Sequence, residues 1–381
     1  MELLVGIIVG LVILIFLVAV HEFGHAFAAV KNGVGVDEFG IGFPPRAWAK
    51  KLKNGTLFTL NWLPLGGFVR LQGEYDSAKN KGDYGAASFW QKTQILLAGV
   101  LVNWIVAALI LTVLAWVGLP KVLPNQFFVQ SDTTVISEPV EAVHITSDSP
   151  AEKAGLQVGD RILSVDGQNI SSPEQLAEQT KQRAGEKVAI VFERAGNRQT
   201  VDAQLNAPDN AQGGYLGVAP GQREFIKAGW SAPVTGVVTT AQFSWLTLTG
   251  VKDLAVNTVK GVVQRVSPNA DTREQAKEEL GKAAESVAGP IGILGVIFPA
   301  AAQAGGVNLL FLTAIISLTL AVMNILPIPA LDGGRWATMA VFRLLKKPLT
   351  KEREETIQGT GFMILLGLII VITLTDIGKL L

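Results

Sequence analysis

The chain has 381 residues, 49% of them hydrophobic and only 17% charged, with a formal net charge of zero. A charged share well below the usual quarter excludes an ordinary soluble protein, and without a basic excess nucleic acid is not an expected partner. There is no cysteine and there are three histidines, so no disulfide framework exists and any metal must be held by His, Asp, Glu, Asn or water.

Residues 3–20 read LLVGIIVGLVILIFLVAV, eighteen positions without a charge and most of a helical span. A signal peptide would carry a basic n-region and a small-residue cleavage site. Here only Met1 and Glu2 precede the apolar run, which leads directly into HEFGHAFAAV, so a retained span is expected. Further spans are expected near residues 95–119, 309–330 and 361–374, giving a polytopic α-helical membrane protein with about four transmembrane helices. Nine Lys and Arg residues lie from Lys31 to Lys92, and six lie in the loop expected after the third span, from Arg335 to Arg353. Both segments are expected at the cytoplasmic face of the cell membrane, with the N-terminus and the long stretch 120–308 outside.

Between the second and third spans the chain changes character. Over residues 127–220, VAIVFER and QTVDAQL alternate as strands do, while SSPEQLAEQTKQ predicts a helix capped by Ser172 with Pro173 at its first position. SPAEKAGLQVGDRILSVDGQNI combines a short helix, a glycine turn, a strand and an Asp-Gly turn, and resembles the bacterial PDZ domain. The expectation is an inserted extracytoplasmic PDZ-like α+β domain at residues 127–222, able to take a peptide or a substrate ectodomain by adding a strand to a sheet edge. A small β-rich domain without a ligand is the plainer alternative. His144 lies in this region and reads as an ordinary surface or strand residue.

Residues 223–307 read as an amphipathic, interfacial linker. Segments 232–250 and 286–304 lack charges and approach span length, but Gly289, Pro290, Gly292, Gly295 and Pro299 disfavour a plain helix in the second. Val251, Leu254, Ala255, Val259, Val262 and Val266 recur at helical spacing beside charged residues, as on a helix lying along a membrane surface. The region is expected to be interfacial or packed against the spans.

The chemistry begins at His21-Glu22-Phe23-Gly24-His25, at the end of the first span. On a helix, residues four apart share one face with a rise of about 6 Å, so both imidazoles can reach one Zn²⁺ while Glu22 serves as general base for its water. Ionisable groups beside a hydrocarbon span are costly, which makes them functional suspects. A catalytic zinc takes three protein ligands. His144 is expected on the wrong side, so the third must be a carboxylate. MNILPIPALDGGR ends the third span and brings Asp332 to the depth and side of the histidines, with Gly333 and Gly334 permitting a close turn. A helix-ending Asp-Gly turn without a metal is the alternative.

HEFGH in a first span, NxxPxPxLDGG in a later one and a PDZ-like insert between them resemble the site-2 protease family, in particular its bacterial PDZ-bearing intramembrane zinc metalloproteases. The resemblance covers nearly the whole chain. It implies His21, His25 and Asp332 as zinc ligands, Glu22 as the catalytic residue, and hydrolysis of membrane-anchored protein substrates such as anti-sigma factors or remnant signal peptides. GFPPRAW…NGTLFTLNWLPLGGFVRLQGE resembles the family's membrane-associated β-hairpin region, ending in a PLGGFV-type element that implies Gly66 and Gly67 at the substrate. Asn103 and Asn324 are implied to face the substrate cleft, although either could be an interhelical hydrogen bond instead. The segment before Asn103 commonly reads Gly-Pro in this family and is Gly99-Val100 here. The expected domains are thus residues 1–119 with the HExxH motif and the hairpin, the PDZ-like domain, the linker, and residues 308–381 with the LDGG motif. A peptide-binding membrane scaffold with an inactive metal site is the competing function, but such a scaffold would not need Glu22. A metal transporter would need further polar residues along the spans.

Overall fold

The computed structural model describes residues 2–210, 213–265, 269–285 and 288–380. Val266, the last of the helically spaced residues, and Ser286, which opens the segment 286–304, lie outside the described residues. Two compact units divide the chain: Met1–Leu114 with Pro233–Leu381, and Ala115–Ala232.

The first unit opens with α1 (Glu2–Lys31), β1 (Val36–Lys51), β2 (Leu57–Leu71) and α2 (Phe89–Val117). The second holds β3 (Leu119–Pro120), β4 (Thr133–Ser137), β5 (Val140–Ile145), α3 (Pro150–Lys153), β6 (Arg161–Val165), β7 (Gln168–Asn169), α4 (Pro173–Gln182), β8 (Lys187–Arg194), β9 (Asn197–Gln204), β10 (Val218–Gly221) and β11 (Glu224–Ala228). The chain then returns through α5 (Ala232–Arg265), α6 (Ala270–Glu285), α7 (Pro290–Gly292), a π-helical turn (Ile293–Ile297), α8 (Phe298–Gln303), α9 (Gly306–Ile325), α10 (Asp332–Leu344) and α11 (Lys351–Leu380).

Among the described residues four helices are long and apolar enough to cross a membrane: α1, α2, α9 and α11. These correspond to the four expected spans, with three corrections. The third span was expected to reach residue 330, but α9 stops at Ile325 and Leu326 is already extended (φ −64°, ψ 145°). Pro327 favours this, because a proline disfavours the helical conformation in the residue before it. The segment expected as a loop after that span contains the 13-residue helix α10, starting at Asp332. α11 also begins ten residues before the expected 361, since its first turns are charged and hydropathy registers only the apolar remainder.

α5 is one continuous helix of 34 residues. Its first half packs on the spans: Trp104 Nε1 donates to Ser244 Oγ at 3.1 Å, and the Phe243 and Phe311 rings lie 5.9 Å apart. Residues 290–303 form an interrupted helix, in keeping with their glycines and prolines, and Phe298 and Pro299 press on Gly10 and Gly6 of α1, where side chains would collide.

The expected hairpin is a more elaborate sheet. β1 and β2 each bend, and the paired residues give the segment order 46–51, 57–61, 36–43, 67–71. Gly42 and Gly66, both at positive φ (76° and 89°), supply conformations that other residues resist at the irregular stretches. Glu38, buried in the middle segment, holds three neighbours: Thr59 Oγ1 at 3.0 Å, Arg46 at 3.1 Å and Arg70 at 3.0 Å.

In the second unit a six-stranded sheet runs β10-β5-β6-β8-β9, with β7 on β6. Val140, Ile162, Ile190 and Phe192 form its core, as strand alternation requires. α4 starts as expected: Ser172 Oγ accepts from the Gln175 N–H at 3.2 Å, and Pro173 follows the cap. Residues 224–228, expected in the linker, instead form β11, which pairs with β3 and β4 in a second, three-stranded sheet.

Candidate metal centre

The helical periodicity of α1 sets His21 and His25 one turn apart on a buried face, each 8% exposed. Their Nε2 atoms lie 3.2 Å apart. Asp332 Oδ2 lies 3.1 Å from the first and 3.2 Å from the second. His25 Nδ1 donates to the Ile95 carbonyl oxygen at 2.8 Å. A carbonyl can only accept, so this bond puts the proton on Nδ1 and leaves a lone pair on Nε2, aimed at the other two donors.

Asp332 reaches this point because α9 ends early. Pro327 and Pro329 carry no N–H, and the chain between α9 and α10 doubles back on itself. Side chains on Gly333 or Gly334 would overlap the Ile325 and Ile328 carbonyls, so both positions require glycine. Asp332 is thus the first residue of a helix, rather than the end of one.

Gly99 of α2 was noted in the sequence only for the valine that follows it. Its Cα faces both imidazoles: a β-carbon there would overlap His25 Nε2 and come within 2.8 Å of His21 Cε1. Gly24 has the reciprocal role on α1, where a β-carbon would stand 2.7 Å from the Ala98 carbonyl oxygen. Only the meeting of two helices reveals these requirements.

Glu22 lies on the neighbouring face of α1, beside the sheet edge formed by residues 67–71. A β-carbon on Gly67 would lie 3.3 Å from Glu22 Cγ and 3.2 Å from a Val18 methyl, so glycine lets the edge run close past the carboxylate. Gly66 instead packs against the Phe43 ring. Asn103 is fully buried, its Nδ2 3.5 Å from His21 Nδ1, while its backbone carbonyl accepts from Ser317 Oγ at 2.9 Å. Asn324 is half-buried in the last turn of α9. His144, on β5, pairs across to Ala219 and belongs to the other unit.

The donor set fits a metal. Three lone-pair atoms with mutual separations of 3.1, 3.2 and 3.2 Å approximate one face of a tetrahedron. Bonds of about 2.0–2.1 Å to a tetrahedral zinc imply ligand separations of roughly 3.3–3.4 Å. Asp332 Oδ2 is buried without a hydrogen-bond partner, a costly arrangement unless a cation satisfies it. Among the described residues this is the one group of three or more His, Asp and Glu side chains so disposed.

The family model of peptidase family M50 matches residues 9–368. The chain belongs to peptidase family M50. The expected site-2 protease resemblance is thereby borne out, and the protein is a multi-pass membrane metalloprotease. Zinc metalloprotease RasP of Shouchella clausii is 28% identical over 432 residues, covering 96% of each chain. Zinc metalloprotease RasP of Bacillus licheniformis is 27% identical over 453 residues, covering 97% of this chain and 98% of that one. The PDZ domain of the SdrC-like protein from Listeria monocytogenes matches 22% of this chain and 86% of its own at 24% identity, with a TM-score of 0.19.

Proposed function

We propose that this protease binds one zinc ion through His21, His25 and Asp332 and uses Glu22 to hydrolyse peptide bonds of membrane-anchored proteins within the bilayer or at its cytoplasmic edge. The observation that carries the reading is the near-equilateral triangle of donor atoms, two of them on a helix apolar enough to span a membrane and the third on the helix that follows another such span. Zinc, the metal named for the relatives, polarises a carbonyl and acidifies water when bound in such a site.

The chain's own residues do the rest. Glu22 accepts the proton of the attacking water and returns it to the leaving amine. Because His25 is oriented by the Ile95 carbonyl, its ligating nitrogen needs no reorientation. The matching role at His21 falls to Asn103, whose Oδ1 lacks a partner. A half-turn of that amide lets Oδ1 accept from His21 Nδ1–H. The outer edge of residues 67–71 offers backbone groups to a substrate segment and holds it extended beside Glu22, which meets the need to unwind a helix before its carbonyls can be attacked. The PDZ-like domain lies outside the cell and selects substrates before entry; anti-sigma factors and remnant signal peptides are the expected classes.

Reconstitution in proteoliposomes with a single-span substrate tests this. Wild-type protein is expected to cleave within or at the edge of the span, as read by product mass. Glu22→Gln is expected to lower the rate by about 10²–10⁴-fold while zinc content stays unchanged. Undiminished cleavage by that variant removes Glu22 from the reaction, and cuts confined to a distant soluble segment remove the intramembrane assignment.

A further inference from the structure

We infer that Arg335 is a positioning residue for the metal site: clasped by Glu74 and Glu354, it holds the first turn of α10 so that Asp332 meets the two imidazoles. This rests on the reading of Asp332 as a ligand.

Asp332 has no covalent continuity with the histidines, which lie more than three hundred residues earlier. It begins a helix that follows an irregular, proline-containing turn, and Leu331 before it provides no side-chain cap. Something else must fix the register of α10. Arg335 stands one turn further along α10. Its Nε donates to Glu354 Oε1 at 3.1 Å, and a second nitrogen to Glu74 Oε1 at 3.2 Å. The remaining arm of the fork donates to the Glu74 carbonyl oxygen. Its guanidinium also stacks 5.0 Å from the centre of the Tyr84 ring. Tyr84 is fully buried, and burial pushes its phenol up, so the ring stays neutral beneath the cation.

The clasp extends to the 72–88 loop, α2, α11 and the turn before Asp332. Glu354 Oε2 accepts from the Asp76 N–H at 3.0 Å, fixing the 72–88 loop to α11. Lys92 of α2 pairs with Asp76 and donates to the Gly85 carbonyl at 2.9 Å. One turn beyond Glu354, Gln358 Oε1 accepts from the Ala330 N–H at 2.6 Å, at a residue held at φ 78°. Two α11 side chains spaced by four residues therefore act on both sides of Asp332, Gln358 on the backbone before it and Glu354 on the Arg335 side chain after it. A planar guanidinium with donors on three nitrogens can satisfy this geometry, and an ammonium cannot.

The test compares zinc affinity, by competition with a chromophoric chelator, with the thermal stability of the metal-free full chain in detergent. Arg335→Gln and Glu354→Gln are each expected to weaken zinc binding about 10-fold or more, the range seen when partners of metal ligands are removed. Arg335→Lys is expected not to restore it. In an Asp332→Ala background, Arg335→Gln is expected to add no further loss. If Arg335→Gln does not fold, Glu74→Gln, at a more exposed carboxylate, is expected to shift affinity in the same direction. Wild-type zinc affinity in the clasp variants, or a loss of equal size with and without the Asp332 carboxylate, would overturn the inference and leave Asp332 as a ligand. Wild-type affinity in Asp332→Ala alone would instead overturn the ligand reading.

Discussion

Both units pair buried charge, as at Asp160 and at Glu38, but in the helical unit two partnerless polar atoms meet at one place. In the inserted β unit, buried charge is ordinary architecture: Asp160, 1% exposed, is bonded twice by Arg194 at 2.7 Å, and the pair closes the edge of a core of Val, Ile, Leu and Phe. In the helical unit, Asp332 Oδ2 and Asn103 Oδ1 are buried without hydrogen-bond partners, and both stand at the two imidazoles. A soluble core can afford polar pairs that merely support the fold. Beside hydrocarbon, an unsatisfied carboxylate persists where a cation completes it.

Two substitutions sharpen that contrast, beginning with the larger effect. Gly99→Ala should strengthen α2 on propensity alone, by about 0.5–1 kcal/mol. Its methyl group would enter the space of the imidazoles, so zinc content is expected to fall and proteolysis to drop by about 10²-fold, the cost of a displacement near 1 Å at a reacting centre. Metal analysis with a cleavage assay checks this, and normal values for both would show that α2 does not bound the site. Phe192→Ala removes a core ring of the β unit, 1% exposed, at an expected cost of about 3–5 kcal/mol. Hydrogen exchange should accelerate across β8 while zinc content is unchanged; zinc loss would mean that the units do not keep these roles separate.

The two units were also legible for different reasons. The β unit announced itself by periodicity and local chemistry: alternating residues in β8 and β9, and Ser172 with Pro173 at the start of α4. The helical unit was legible by its exceptions, since His21, Glu22, His25 and Asp332 interrupt an apolar background where ionisable groups are costly. Non-local features were hidden. Nothing in the sequence near Gly99 shows that it faces His25, and Arg335 read only as one more positive charge in a loop. The fourfold sheet formed by β1 and β2 depends on each strand bending and pairing twice, which a strand-like run with turn signals cannot distinguish from a single hairpin. Likewise α10 is short and its basic residues carry a membrane-sidedness signal that masks its helical spacing.

The account stands on the meeting of Asp332 with His21 and His25 around one ion. Zinc stoichiometry of the purified full chain and of Asp332→Ala, by mass spectrometry after chelator challenge, tests it most directly. About one zinc per wild-type chain and strongly reduced retention in the variant is the predicted result; equal retention in both would contradict it.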